Sequence, residues 1–254
     1  MDVTDGVATV LVDNHPVNAM GRAVLEGLLE AAHHIRAQGT SVRAVVLTGA
    51  GTKAFMAGAD ITEFDMLRSR PDGVEKHSAF ARMVFDAWSN LEQPLVAAVQ
   101  ASAVGGGLEI ALVCDVIVAD PAAVLGLPEV KLGLIPGGGG TQRLPGRIGV
   151  PAATELMLLG TVVTAERALH LGLVNRVAAP GCATDESYEI AERIAALPWV
   201  AVRNIKRAIG VYSRVDPRQL DQERTLFTEA FGSADMDEGM AAFLEKRRPS
   251  FTHR

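Results

Sequence analysis

Two short runs rich in β-branched residues, VATVLVD (7–13) and RAVVLTG (43–49), bracket the stretch GRAVLEGLLEAAHHIRAQG (21–39). In that stretch apolar residues recur at helical spacing and Gly39 supplies a C-terminal stop. A strand, a helix and a strand make a β-α-β unit, which can bury its apolar faces only in an α/β core with helices against a sheet. A second cycle follows. The helical stretch VEKHSAFARMVFDAWSNLEQ (74–93) ends at Pro94, LVAAVQ (95–100) reads as a strand, a glycine turn at Gly105–Gly107 opens a short helix, and DVIVAD (115–120) reads as another strand. From about Thr184 the pattern is wholly helical, through DESYEIAERIAAL, VAVRNIKRAIGVY, QERTLFTEAF and DEGMAAFLEKR. An α/β body over residues 1–183 and a helical C-terminal region over 184–254 are expected, with no internal repeat, low-complexity tract or long linker.

A chain of 254 residues that is 48% hydrophobic can bury a large core without disulfides or a structural metal. Its formal net charge of −6 leaves no electrostatic footprint for nucleic acid or an anionic membrane. The most apolar stretch, 94–119, is interrupted by Gln100, Ser102, Gly105–Gly107, Glu109 and Asp115, whereas a membrane-spanning helix needs about 20 mainly apolar residues. The opening MDVTDGVATV is acidic, lacks a charged-then-apolar leader pattern and reads as a mature N-terminus. The two cysteines, Cys114 in an apolar run and Cys182, are too few for a disulfide scaffold, so a reducing, cytoplasmic compartment is expected.

Several chemistries lack their residues. VVLTGAGTKAF matches a dinucleotide-binding fingerprint, but FMAGADITEF contains Gly58 where a long helix should run, and no apolar strand precedes Asp72. No P-loop or G-x-S-x-G elbow is present. None of the six histidines, His15, His33, His34, His77, His170 and His253, forms an i, i+4 pair, so each reads as solvated or structural and no metal site is expected.

What remains is two carboxylates set among glycines and apolar residues. GGGLEIALVCD (105–115) carries Glu109, and GLPEVKLGLIPGGGGTQRLPG (126–146) carries Glu129 followed by Gly137–Gly140. An unpartnered buried carboxylate costs several kcal/mol or takes up a proton, so its surroundings must answer for it. GGGLE admits two readings: a tight strand-to-helix turn with Glu109 near the helix dipole, or backbone N–H donors opened to a ligand that develops negative charge. Two carboxylates in different environments could divide acid and base roles.

Taken together, KAFMAGADI (53–61), QASAVGGGLEIALVCD (100–115), LGLPEVKLGLIPGGGGTQRLP (125–145) and EGMAAFLEKRRPSF (238–251) resemble the crotonase superfamily, and most of all enoyl-CoA hydratase, in order and over nearly the whole chain. The resemblance implies a crotonase-like spiral of β-β-α turns with a C-terminal helical oligomerisation region that builds a homotrimer or a hexamer of paired trimers. It implies an acyl-CoA thioester substrate, no cofactor, and hydration of trans-2-enoyl-CoA as in fatty acid β-oxidation. The Ala59 and Gly106 N–H groups would hold the thioester oxygen, Glu109 would help activate water for attack on C3, and Glu129 would exchange the proton at C2. Ala57, Asp60 and Ile61 would contact coenzyme A, with Phe243 and Lys246 reaching a neighbour's pocket. Asp60 equally suits a turn or cap, Phe243 a core aromatic and Lys246 a solvated charge. Thr62 departs from the lysine that many hydratases carry there. Related alternatives are an enoyl-CoA isomerase, a decarboxylase or a thioester hydrolase. An RNA-binding relative would need a lysine-rich first helix, and this one has only Arg22 and Arg36 as basic residues; an inactive scaffold fits poorly with both glutamates present.

Overall fold

The computed structural model of the chain describes residues 1–213 and 215–252, and only the backbone of 211–213; His253 lies outside this range. In chain order the elements are β1 (Asp2–Thr4), β2 (Val7–Val12), α1 (Arg22–Ala37), β3 (Ala44–Gly49), β4 (Ala54–Met56), α2 (Phe64–Ser69), α3 (Gly73–Ser89), β5 (Leu95–Val99), β6 (Ser102–Val104) and α4 (Gly106–Ala111). They continue with β7 (Val116–Ala119), β8 (Val124–Gly126), α5 (Gly140–Ile148), α6 (Val150–Leu159), β9 (Val162–Thr164), α7 (Ala165–Leu171) and β10 (Arg176–Val177), and close with α8 (Ala183–Ala195), α9 (Trp199–Ser213), α10 (Pro217–Phe231) and α11 (Ala234–Leu244). Single 3₁₀ turns lie at Gly39–Ser41, Ile61–Glu63 and Glu129–Leu132.

The strands form two sheets. One runs β1-β2-β3-β5-β7-β10, parallel except for β1 against β2; the other runs β4-β6-β8-β9, parallel except for β9 against β8. Each turn of chain lays one strand in the large sheet and the next in the small sheet before a helix: β3, β4 and α2; β5, β6 and α4; β7, β8 and, after a 3₁₀ turn, α5. This is the expected spiral of β-β-α turns. It also explains why Gly49–Ala54 opens no helix, since β3 passes straight into β4.

The large sheet is buried on both faces, which is why β3, β5 and β7 read as unbroken apolar runs. Val45, Leu47, Ala97, Val99 and Ile117 face a core shared with Leu25, Leu28 and Ile35 of α1 and with Val84 and Trp88 of α3. Trp88 places its indole N–H on the Leu28 carbonyl at 2.8 Å, so a large ring is buried without an orphan donor. Val46, Val96 and Val118 face the other way, onto Ala183, Ala191 and Ala195 of α8. A third cluster joins Phe64 and Leu67 of α2 and Leu134 to Phe231 of α10 and to Met236 and Met240 of α11. Among the described residues no helix is long and apolar enough to cross a membrane.

Candidate active site

The loop leaving β4 is tied down by a segment far from it in sequence. Asn18, buried and at φ 54, donates from Nδ2 to the carbonyls of Ala50, Ala54 and Phe55 at 2.9, 3.0 and 3.2 Å. The Ala57 N–H then donates to Val17 O (3.1 Å) and the Met20 N–H to Gly58 O (2.7 Å). Gly58 sits at φ 91, where a side chain would be strained, and a Cβ there would lie 3.1 Å from Val104 O and 3.5 Å from Gly106 N. The next residue, Ala59, is exposed, and its N–H meets no acceptor among the described residues.

The turn from β6 into α4 arrives at the same point. Gly105 has φ 55, and its carbonyl accepts from Leu108 N and Glu109 N, which starts the helix at once. Gly106 is the first helical residue, so its N–H has no acceptor within the helix. A Cβ on Gly106 would stand 3.8 Å from Ala59 N, so the two N–H groups neighbour each other. Gly107 is glycine for packing: a Cβ there would collide with the Met56 carbonyl on β4.

Glu109, one turn into α4, is 4% exposed. Its Oε1 accepts from Gly138 N at 2.7 Å and Gly140 N at 2.8 Å, both in the glycine run that leads into α5. No N–H or O–H of the described residues reaches Oε2. Burial pushes the Glu109 carboxyl up to about 7, the nearby charge of Glu223 adds to this, and the two backbone N–H groups and Arg143 oppose it. Oε2 is thus the oxygen of this carboxyl left open to accept a proton.

Glu129 opens the 3₁₀ turn after β8. A Cβ on Gly105 would lie 3.2 Å from its Oε1, so the carboxyl stands over the glycine turn. Its Oε2 is buried without a partner. Burial, reinforced by the charge of Glu109, holds this carboxyl well above the usual carboxylate range, which favours its protonated form. Two acids that repel each other, beside two free N–H donors, can move protons on either side of a group whose oxygen the donors hold.

The structure thus brings Glu109, Glu129, Ala59 and Gly106 together, and Ala57, Asp60 and Ile61 lie on the same loop. Asp60 is a cap: its Oδ1 accepts from Thr62 N (3.0 Å) and Thr62 Oγ1 (2.7 Å). The residue expected to replace a lysine is therefore bound to its own turn. Phe243 is 61% exposed near the end of α11, and Lys246 is exposed just beyond it at φ 53. Neither is joined to the glutamates by a hydrogen bond or ion pair among the described residues. Sequence reasoning missed Asn18, Arg143 and Glu223. Glu223 had a signal: in α10 it shares the inward stripe of Leu220, Phe227 and Phe231, a carboxylate at a core position of a helical repeat.

A surface groove of about 490 Å³ between β2 and α1, lined among others by Leu11, Val24 and His34, contains none of these groups. Among the described residues no group of three or more His, Cys, Asp or Glu side chains is placed to hold a metal ion. Cys114 is buried and its thiol is pushed up to about 12, mainly by burial, so it is no nucleophile.

The family model described as "Enoyl-CoA hydratase/isomerase" matches residues 2–254. The chain is 38% identical over 251 residues to the short-chain-enoyl-CoA hydratase of Clostridium acetobutylicum, covering 96% of this chain and 94% of that protein. It is 37% identical over 246 residues to the crotonyl-CoA hydratase of Syntrophomonas wolfei, covering 95% and 93%. The crystal structure of carnitinyl-CoA hydratase from Mycobacterium avium superposes with a TM-score of 0.87 at 34% identity, covering all of this chain and 97% of that one.

Proposed function

The chain belongs to the enoyl-CoA hydratase/isomerase family, and from that membership we propose that it adds water syn across trans-2-enoyl-CoA, giving 3-hydroxyacyl-CoA. The observation that carries the reading is the pairing of buried Glu109 with Glu129, whose Oε2 is buried without a partner, beside the free N–H groups of Ala59 and Gly106. The thioester carbonyl oxygen sits on those two N–H groups. Attack at C3 drives electrons through C2 onto that oxygen, and each fixed donor stabilises the resulting enolate-like charge by about 3 to 4 kcal/mol. Glu109 Oε2 takes the proton of the attacking water. Glu129, whose protonated form is favoured by burial and by the charge of Glu109, gives its proton to C2. The balance is one O–H bond broken in water, one C–O and one C–H bond formed, and one proton passed from Glu129 to product while another reaches Glu109; exchange with solvent restores both.

Isomerisation would need one acid to carry a proton between C2 and C4, and Glu109 would be idle. The double anchoring of Glu109 Oε1, which fixes Oε2 for a bound water, favours hydration. No added cofactor enters the scheme, since coenzyme A is part of the substrate. Ala57, Asp60 and Ile61 contact coenzyme A from the β4 loop, with Asp60 Oδ2 the oxygen not used in the cap. Within residues 184–254, where α8 covers the large sheet, the later helices serve assembly into a trimer or a pair of trimers. Exposed Val200, Ile205 and Ile209 on α9 supply apolar surface, and exposed Phe243 and Lys246 are free to reach a neighbour's pocket. The two unpaired cysteines fit a reducing, cytoplasmic compartment, and the reaction fits β-oxidation.

The test is loss of conjugated enoyl-thioester absorbance over acyl chains from short to long. Turnover at one or more lengths supports the reading. A protein that leaves every 2-enoyl-CoA unchanged while converting 3-enoyl-CoA refutes it.

A further inference from the structure

The glycine run carries an alternation that the proposed reaction leaves unexplained. Of four successive backbone N–H groups at the start of α5, those of Gly138 and Gly140 go to Glu109, at 2.7 and 2.8 Å. Those of Gly139 and Thr141 go to Glu223, the first to Oε1 at 2.6 Å and the second to Oε2 at 3.0 Å. The Thr141 hydroxyl also donates to Glu223 Oε2. Two carboxylates therefore share one helix N-terminus, where orphan donors and the helix dipole favour negative charge.

Glu223 comes from α10, about eighty residues later in the chain, and is 3% exposed. A buried carboxylate has no stabilising reason to approach another one, and burial already pushes Glu223 above its ordinary range. Arg143 relieves part of the repulsion: its charge lowers both acids, and its Nη1 donates to Gly138 O at 2.7 Å. Gly139, at φ 96, has no room for a side chain because Arg143 fills the space. All four N–H groups of the run are thus committed, two to each acid.

We infer that Glu223 is a positioning residue for Glu109: by holding the Gly139 and Thr141 N–H groups it keeps those of Gly138 and Gly140 aimed at Glu109 Oε1, which fixes where Oε2 presents itself to water. The inference rests on the proposed hydration. It accounts for a buried acid that touches no substrate-facing group, and for a loop of glycines whose geometry would otherwise be free to vary. The thioester donors Ala59 and Gly106 lie on other segments, so loss of Glu223 changes the placement of the water and not the hold on the thioester.

The experiment compares Glu223→Gln and Glu223→Ala with the wild-type full chain. Glu223→Gln keeps the volume but replaces one acceptor oxygen with a donor; Glu223→Ala removes every acceptor. Expected are falls in kcat of about 10-fold and about 100-fold, the scale of a misplaced reacting group, with KM for an enoyl-CoA within about 3-fold. In spectra of protein labelled at glycine with ¹⁵N, the Gly138 and Gly140 amide protons move upfield in both variants as their bonds to Glu109 lengthen. A drop in melting temperature with kcat, KM and both amide signals unchanged would make Glu223 a structural residue only and overturn the inference. If Glu223→Ala does not fold, Glu223→Gln carries the test, with Thr141→Val as a milder variant expected to shift kcat the same way. If the wild type does not hydrate enoyl-CoA, the functional reading fails, and the amide signals alone decide for or against Glu223.

Discussion

Replacing Glu109 by Gln makes the protein's stability depend differently on pH. A carboxyl that titrates at the ordinary 4.5 in the unfolded chain and at about 7 in the fold holds its proton longer when folded. Below pH 4.5 both states are protonated and nothing is lost. As pH rises through this window the unfolded chain ionises freely while the fold must ionise a buried acid, so stability falls by about 3 kcal/mol and the loss is complete above pH 7. Glutamine cannot ionise, so the variant escapes that loss. It also removes the charge that raises Glu129, which shifts the balance in the same direction. The assay is urea unfolding followed by circular dichroism, at one protomer concentration because assembly makes midpoints concentration-dependent. The variant's stability relative to wild type should rise by about 3 kcal/mol between pH 4.5 and 8.5. A difference that stays constant over that range would refute the claim that burial dominates at Glu109.

Three other outcomes follow from the same geometry. Gly140→Ala puts a Cβ 2.9 Å from Glu109 Oε1, Leu127 Cδ1 and Pro136 Cβ, so it should cost about 1 to 3 kcal/mol of stability and lower kcat; a variant with wild-type melting and turnover would contradict this. Removing the residues after Asp237 strips Met240 and Ala242 from the buried part of α11, and light scattering and CoA-thioester binding should both show a loss; a monomer with full activity would contradict it. Hydration should survive dialysis against a chelator, because the proposed scheme uses carboxylates and backbone donors only; abolished activity would contradict the scheme.

The long elements were legible because burial imposes a period on them. α1 and α3 bury one stripe, with Leu25, Leu28, Ala32 and Ile35 inward on α1, while β3, β5 and β7, covered on both faces, read as apolar runs. The small sheet was not legible from pattern. Three residues each in β4, β6, β8 and β9 cannot display a period, and their strand character comes from pairing with one another. Glu109 and Glu129 stood out against apolar neighbours, and the glycines around them signalled close backbone approach. The pairing of Ala59 with Gly106 came from family resemblance, since no local property of either residue marks it. Glu223 was hidden by an otherwise ordinary amphipathic helix, and Asn18 by a loop whose role depends on three carbonyls more than thirty residues away.

Hydration requires Glu109 as the base for water and Glu129 as the acid at C2. Measuring Glu109→Gln for both hydration of a 2-enoyl-CoA and deuterium exchange at C2 of a saturated acyl-CoA separates the two roles, with circular dichroism to verify folding. The predicted result is hydration reduced by about 10² to 10⁴ while C2 exchange persists, because exchange needs only Glu129 and the thioester donors. Near-normal hydration in Glu109→Gln, with Glu129→Gln losing only 3-enoyl to 2-enoyl isomerisation, would contradict the account and make the chain an isomerase.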